Sequence, residues 1–99
     1  MKNRRSKLEV YLDVLWAIKS GVNKPTRIMY ESNLSWKPLQ RTLDSLIGQN
    51  LIEEYSPKNN RDKRTTYCYK LTQKGENVIQ YFKRAEDLIE LEITPRARL

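Results

Sequence analysis

Histidine is absent from this 99-residue chain, cysteine occurs once and glycine only three times. Without histidine there is no side chain that exchanges a proton near neutrality, and no imidazole to bind a metal ion. Cys68 has no partner for an internal disulfide, which fits a reducing cytoplasm. It lies in a strand-like run between tyrosines with no base to activate it, so it reads as structural rather than nucleophilic. Gly21, Gly48 and Gly75 are too dispersed to build a phosphate-binding loop. The carboxylate pairs Glu53-Glu54 and Glu86-Asp87 sit among charged neighbours on faces that read as solvated. These absences argue against an enzyme: no catalytic residue, metal ligand or cofactor is expected, and no small-molecule ligand is evident. No run of about eighteen apolar residues exists, and the basic N-terminus has no apolar stretch behind it. Neither a membrane span nor export is expected.

What remains is a short, charged, basic chain. Its length and 38% hydrophobic content suit one domain with one modest core. A net charge of +7 and a pI near 9.7 favour a polyanionic partner. The charge is also placed. Lys2, Arg4, Arg5 and Lys7 give residues 1–7 a net +4. Lys58, Arg61, Lys63, Arg64 and Lys70 against Asp62 give residues 57–70 another +4. Residues 71–94 hold three cations and five anions, a segment that a polyanion would repel.

The segment 24–54, KPTRIMYESNLSWKPLQRTLDSLIGQNLIEE, carries most of the functional signal. It reads as a short helix from about Pro25 to Glu31, a tight turn, a second helix and the start of a strand. Ile28 and Met29 turn inward. Glu31-Ser32-Asn33-Leu34 forms the turn, Ser35 is the N-cap of the second helix, and Leu34 and Leu39 are spaced as a hydrophobic staple. Pro38 falls at the third helical position, so Ser35 is expected to cap the amide of Lys37 instead. Two helices joined this tightly form a helix-turn-helix, whose usual use is to set the second helix in the DNA major groove.

At about 100° per residue, Leu39, Leu43, Leu46 and Ile47 share one side of that second helix. Lys37, Arg41, Asp44 and Ser45 lie roughly opposite, with Gly48 further along and Gln40 on the flank. Arg41 suits a guanine edge, Gln40 an adenine edge, and Ser45 or Lys37 a phosphate. An ordinary solvated face with two cations would read the same way. Trp36 lies beside the leucine face, so packing is favoured over base or sugar contact.

Around this unit, Ser6-Lys7-Leu8-Glu9 is a capping-box pattern that opens a first helix over 7–20, closed by Gly21. Leu8, Tyr11, Leu12, Leu15 and Ile18 form one apolar stripe on it; Val10, Val14 and Ala17 form a second, with Trp16 between. A helix apolar on both sides must be covered on both sides. Residues 51–55 and 65–71 read as strands flanking a polar loop. Tyr67, Tyr69 and Leu71 fall on one strand face, with Thr66, Cys68 and Lys70 on the other. A hairpin with a basic tip is a wing, whose Lys58, Arg61, Lys63 and Arg64 would follow phosphates or enter the minor groove; a merely soluble loop is the alternative. Thr72 caps a last helix from Gln73 to about Glu92, ahead of Thr94-Pro95. Its stripe of Val78, Ile79, Phe82, Ala85, Leu88 and Ile89 outlasts a domain this small. Pairing with a second copy, or with that copy's first helix, would bury both leftover surfaces; folding back on its own first helix is the monomeric alternative.

The runs TRIMYESNLSWKPLQRTLDSLI, NLIE and YKLTQKG (Tyr69 to Gly75) resemble the archaeal winged-helix DNA-binding family, over roughly residues 6 to 92. Asn50 stands where that family usually has Gly; Asn is the next-best residue for a left-handed helix end. The resemblance implies small chromatin-associated or regulatory proteins that dimerise through a C-terminal helix.

The sequence therefore predicts an α+β, mainly helical, winged helix-turn-helix fold: a three-helix core, a two-stranded wing and a long C-terminal helix. Residues 1–6 form a basic arm, 7–72 the winged domain, 73–93 the core-closing and dimerising helix, and 94–99 a basic tail. The expected function is binding of double-stranded DNA as a homodimer in a cytoplasmic, nucleoid-associated setting, with a protein adaptor or RNA-binding module as the alternative. Expected DNA contacts are Lys37, Gln40, Arg41, Asp44 and Ser45 on the second helix of the motif. Lys58, Arg61, Lys63 and Arg64 would contribute from the wing, and Arg4 and Arg5 from the arm. Expected dimer contacts are Val10, Val14, Ala85, Leu88 and Ile89.

Overall fold

The computed structural model describes residues 5–57 and 67–89. Along the chain these form α1 (Lys7–Lys19), α2 (Pro25–Ser32), α3 (Trp36–Gly48), β1 (Ile52–Tyr55), β2 (Cys68–Leu71) and α4 (Gln73–Leu88). The fold is mainly helical with one antiparallel hairpin, a winged helix-turn-helix with a C-terminal helix.

Local chemistry sets most of the boundaries. Ser6 and Glu9 close a reciprocal capping box on α1, with bonds of 3.1 and 2.6 Å. Ser20 is its C-cap and Gly21 takes φ 105°, so the helix ends one residue earlier than expected. Pro25 opens α2, and Asn33 at φ 56° ends it in the left-handed conformation. Ser35 is the N-cap of α3, as expected, but its side chain makes no capping bond to Lys37 or any other amide. Pro38 has removed the N–H that such a hydroxyl would ordinarily reach. At the other end Leu51 N–H donates to Leu46 O and Asn50 N–H to Ile47 O, both at 2.9 Å. With Asn50 at φ 63°, this is the Schellman closure that the sequence implied.

Arg5 corrects the reading of the N-terminal arm. Its guanidinium donates to the Asp13 carboxylate, to Ser32 O and to Asn33 O, each at 2.7 Å. Those carbonyls close the C-terminal end of α2, where a cation is favourable. Arg5 therefore clamps α1 to α2 and is not a free cation of a DNA-facing arm. Arg4 lies outside the described residues.

The core is a single cluster led by Val14, Leu15, Ile28, Leu39, Leu43, Leu46, Ile52 and Ile79. α1 runs through it, packed against α2, α3, β2 and α4. That enclosure overturns the inference from its second stripe. Val14 is 0% exposed within one chain, so it cannot line a surface for a second copy. Leu8 and Trp16 do stay largely exposed, and Val10 is half-buried.

In the hairpin, Ile52 pairs with Leu71 and Glu54 with Tyr69. Cys68, read as structural, and its neighbour Tyr69 are both buried. Successive strand residues point to opposite faces, so the hairpin is covered on both sides here. Tyr69 N–H also donates to Asn23 O at 3.0 Å, tying β2 to the α1–α2 connection.

The YKLTQKG motif forms a joint. Thr72 caps α4 by accepting from Gly75 N–H at 3.0 Å, while its hydroxyl donates to Asn50 O at 2.7 Å. Thr72 N–H donates to Leu51 O at 3.1 Å, and the Lys74 ammonium to Gln49 O at 2.9 Å. Any Cβ on Gly75 would collide with the Leu51 carbonyl oxygen. α4 then ends at Leu88, with Ile89 extended at ψ 130°, short of the expected Glu92. Leu88 and Ile89 are exposed, and Ala85 and Phe82 half-buried. Because the collision is with backbone, Gly75→Ala should destabilise the fold by about 2–3 kcal/mol. A chemical denaturation curve measures it, and a midpoint equal to wild type would contradict this account of the joint.

Candidate nucleic-acid interface

α3 is two-sided. Leu39, Thr42, Leu43 and Leu46 are buried on one side and hold the helix to the core. Lys37, Arg41, Asp44 and Gly48 are exposed on the other, at steps of four, three and four residues, which is one continuous stripe. Among the described residues neither Lys37 nor Arg41 enters an ion pair; the recorded pairs are Arg5–Asp13 and Lys19–Glu76. Gln40 is half-buried at the edge of the stripe.

Ser45 is displaced from its expected role. Its hydroxyl accepts from Tyr11 OH at 2.6 Å and from Gln49 Nε2 at 3.0 Å. It therefore sits on the flank turned toward α1, about 100° round from Asp44, and serves the α1–α3 contact.

Trp36 is the reverse case. Expected to pack, it is 47% exposed. As the first helical residue it lies beyond the end of the leucine face, which Leu34 and Leu39 close instead. Its indole is therefore available to a partner beside Gln40.

Asp44 places one carboxylate in the stripe, and Glu54 another on β1. Burial first, then the Glu54 and Asp44 carboxylates, push the Tyr69 phenol above its ordinary value of 10.0. Lys70 lies on the outer face of the hairpin with its ammonium 5.4 Å from the centre of the Tyr55 ring. Lys58, Arg61, Lys63 and Arg64 belong to the segment joining β1 to β2 and lie outside the described residues.

Sequence reasoning passed over Lys24 and Arg27, which are exposed at the N-cap and third helical position of α2. The signal was electrostatic: a helix N-terminus carries partial positive charge, so cations placed there oppose the helix dipole and have no folding rationale.

A family model described as winged helix-turn-helix matches residues 4–90. The chain belongs to this family. An uncharacterized protein of Methanocaldococcus jannaschii is 35% identical over 75 residues, covering 76% of this chain and 67% of that protein. A second uncharacterized protein of the same organism is 29% identical over 86 residues; the chain spans 36% of its length. Among solved structures, a DNA-binding protein from Sulfolobus solfataricus superposes with a TM-score of 0.61 at 20% identity, covering 85% of each chain. At that identity the likeness is one of fold. Together the matches place the chain in an archaeal winged-helix family.

The raised pKa of Tyr69 makes stability depend on pH. A phenol held protonated by the fold contributes stability in full below about pH 10, and loses it as pH rises through the folded value. Wild type should therefore lose more stability than Tyr69→Phe between about pH 9 and pH 11. Parallel loss of Tm in the two proteins would show that Tyr69 is not held neutral by burial and the two carboxylates.

Proposed function

We propose that this protein binds double-stranded DNA as a homodimer, as a transcriptional regulator or a chromatin-associated protein. The single observation that carries the reading is the exposed stripe on α3: two cations without ion pairs among the described residues, on a helix whose other side is fixed in the core. A helix anchored on one side and free on the other can enter a major groove without disturbing its own fold. Net charge of +7 supplies the attraction, and the segment joining β1 to β2 adds Lys58, Arg61, Lys63 and Arg64 to it. The fold neighbour from Sulfolobus solfataricus, itself described as DNA-binding, supports the same reading.

In this arrangement Arg41 reads a guanine edge, Gln40 an adenine edge, and Lys37 holds a phosphate. Asp44 is repelled by phosphate and is suited to the amino group of cytosine. The wing cations follow the backbone or the minor groove.

Dimerisation is supported by the end of α4. Leu88 is 83% exposed and Ile89 55%, an apolar end with no cover among the described residues. With Val14 enclosed in its own core, the proposed seam reduces to Ala85, Leu88 and Ile89, with Val10 at its margin. A two-fold pair would present two reading helices to a pseudo-palindromic site.

Binding of a short labelled duplex across a salt series tests the function. The logarithm of the affinity should fall linearly with that of salt, by about 0.9 per neutralised phosphate and roughly 6–10 phosphates per dimer. Binding with little salt dependence would instead favour a protein adaptor. Arg41→Ala should cost roughly 1–3 kcal/mol on a sequence selected from a random pool and relax specificity at one position. Equal losses on selected and random duplexes would reassign Arg41 to a phosphate. Leu88→Glu has almost no packing to lose within one chain, so it should sediment as a folded monomer and bind the full site more weakly. An unchanged dimer in this variant would move the seam elsewhere.

A further inference from the structure

Two of the three glycines explain themselves within the molecule. Gly21 takes φ 105°, and Gly75 leaves room for the Leu51 carbonyl. Gly48 does neither. It is the last residue of α3, its φ is not in the left-handed region, and a Cβ there would meet nothing within 4 Å. Glycine is the poorest helix former after proline, so the fold gains nothing from it at this position. It also completes the stripe of Lys37, Arg41 and Asp44, which makes its bare Cα part of the face offered outward.

A helix C-terminus ordinarily repels an anion, because its last carbonyls carry partial negative charge. This one is capped by the chain that follows it and carries a cation from α4. Asn50 and Leu51 N–H groups, beyond the C-cap, occupy the carbonyls of Ile47 and Leu46. The Lys74 ammonium bonds the carbonyl of Gln49, next to Gly48, at 2.9 Å. One of its three protons is used there, leaving two for a ligand. The nearby carboxylate of Glu76 is engaged by Lys19 at 2.9 Å, and Lys74 makes no ion pair among the described residues. An exposed cation and a bare Cα thus meet at a capped helix end, the end of the reading helix farthest from Lys37.

Resting on the DNA-binding reading, we propose that this corner seats a backbone phosphate of the duplex that α3 reads, Gly48 permitting close approach and Lys74 supplying the charge. α3 would then be fixed against the backbone at both ends, by Lys37 at one and by this corner at the other.

Gly48→Ala, Lys74→Gln and Lys74→Arg test the proposal in the full chain, by thermal melting and by anisotropy of a labelled duplex over a salt series. Gly48→Ala should melt higher by a few degrees, since alanine favours the helix, yet bind roughly fivefold or more weakly. A structural glycine would move both readouts down, and a surface glycine of no consequence would leave binding unchanged; either result overturns the role of Gly48. Lys74→Gln should flatten the salt slope by about 0.9 per protomer, and Lys74→Arg should restore it. A slope unaltered by Lys74→Gln removes Lys74 from the contact. Wild type that fails to bind duplex DNA at all would instead sink the function on which the proposal rests.

Discussion

The carbonyl of Leu51 is the point on which this structure turns. It accepts from Thr72 N–H, lies within 3.1 Å of the Thr72 hydroxyl, and has Gly75 packed against it with no room for a side chain. The residues on either side serve the same joint. Asn50 takes the left-handed conformation that ends α3, and its carbonyl accepts the Thr72 hydroxyl. Leu51 N–H closes the end of α3, and Lys74 reaches back to Gln49 O. The exit of α3, the start of β1, the end of β2 and the start of α4 are thereby bound within a few residues. The joint and the leucine face hold α3, and its opposite side packs against nothing among the described residues. The free stripe is a consequence of that constraint.

The same logic explains which charges are occupied and which are not. Arg5, Asp13, Lys19 and Glu76 join elements, and their exposed geometry makes them modest contributors to stability and good markers of orientation. Lys37, Arg41, Lys24 and Arg27 join nothing among the described residues and stand on the helix-turn-helix unit. Asp44, which with Glu54 raises the pKa of the buried Tyr69, interrupts the cationic stripe. In the proposed complex a carboxylate in that position would weaken general attraction to phosphate and so favour discrimination between sites.

Much of the fold was legible because local and global signals agree. Ser6 with Glu9, Pro25, Asn33, Asn50 and Thr72 each mark a boundary by a mechanism that requires no knowledge of the rest of the chain. The errors share a cause. Val14, Ser45 and Trp36 were assigned by angle on one element, and their environments depend on what other elements cover. α1 is wrapped by four neighbours, so its second stripe needs no second copy. β2 is covered on both faces, so alternation by itself does not reveal that Cys68 and Tyr69 are both buried. Trp36 has the right angle for the core and the wrong height along the helix. Arg5 looked like one of four cations in a basic arm, and only the fold shows the two α2 carbonyls and the carboxylate it binds. On α3, Lys37, Arg41 and Asp44 were legible because a helix with one strong apolar face leaves little ambiguity about the other.

The central claim is that α3 presents its outer stripe to a DNA duplex, and backbone amide shifts in a labelled protein titrated with a short duplex test it most directly. The account predicts that the largest perturbations fall on Lys37, Gln40, Arg41, Asp44 and Gly48, with smaller ones at Lys24, Arg27 and Lys74, and that the buried Leu43 and Leu46 move little. Perturbations confined to α1 or to the outer face of α4, with the stripe unmoved at saturation, would contradict it.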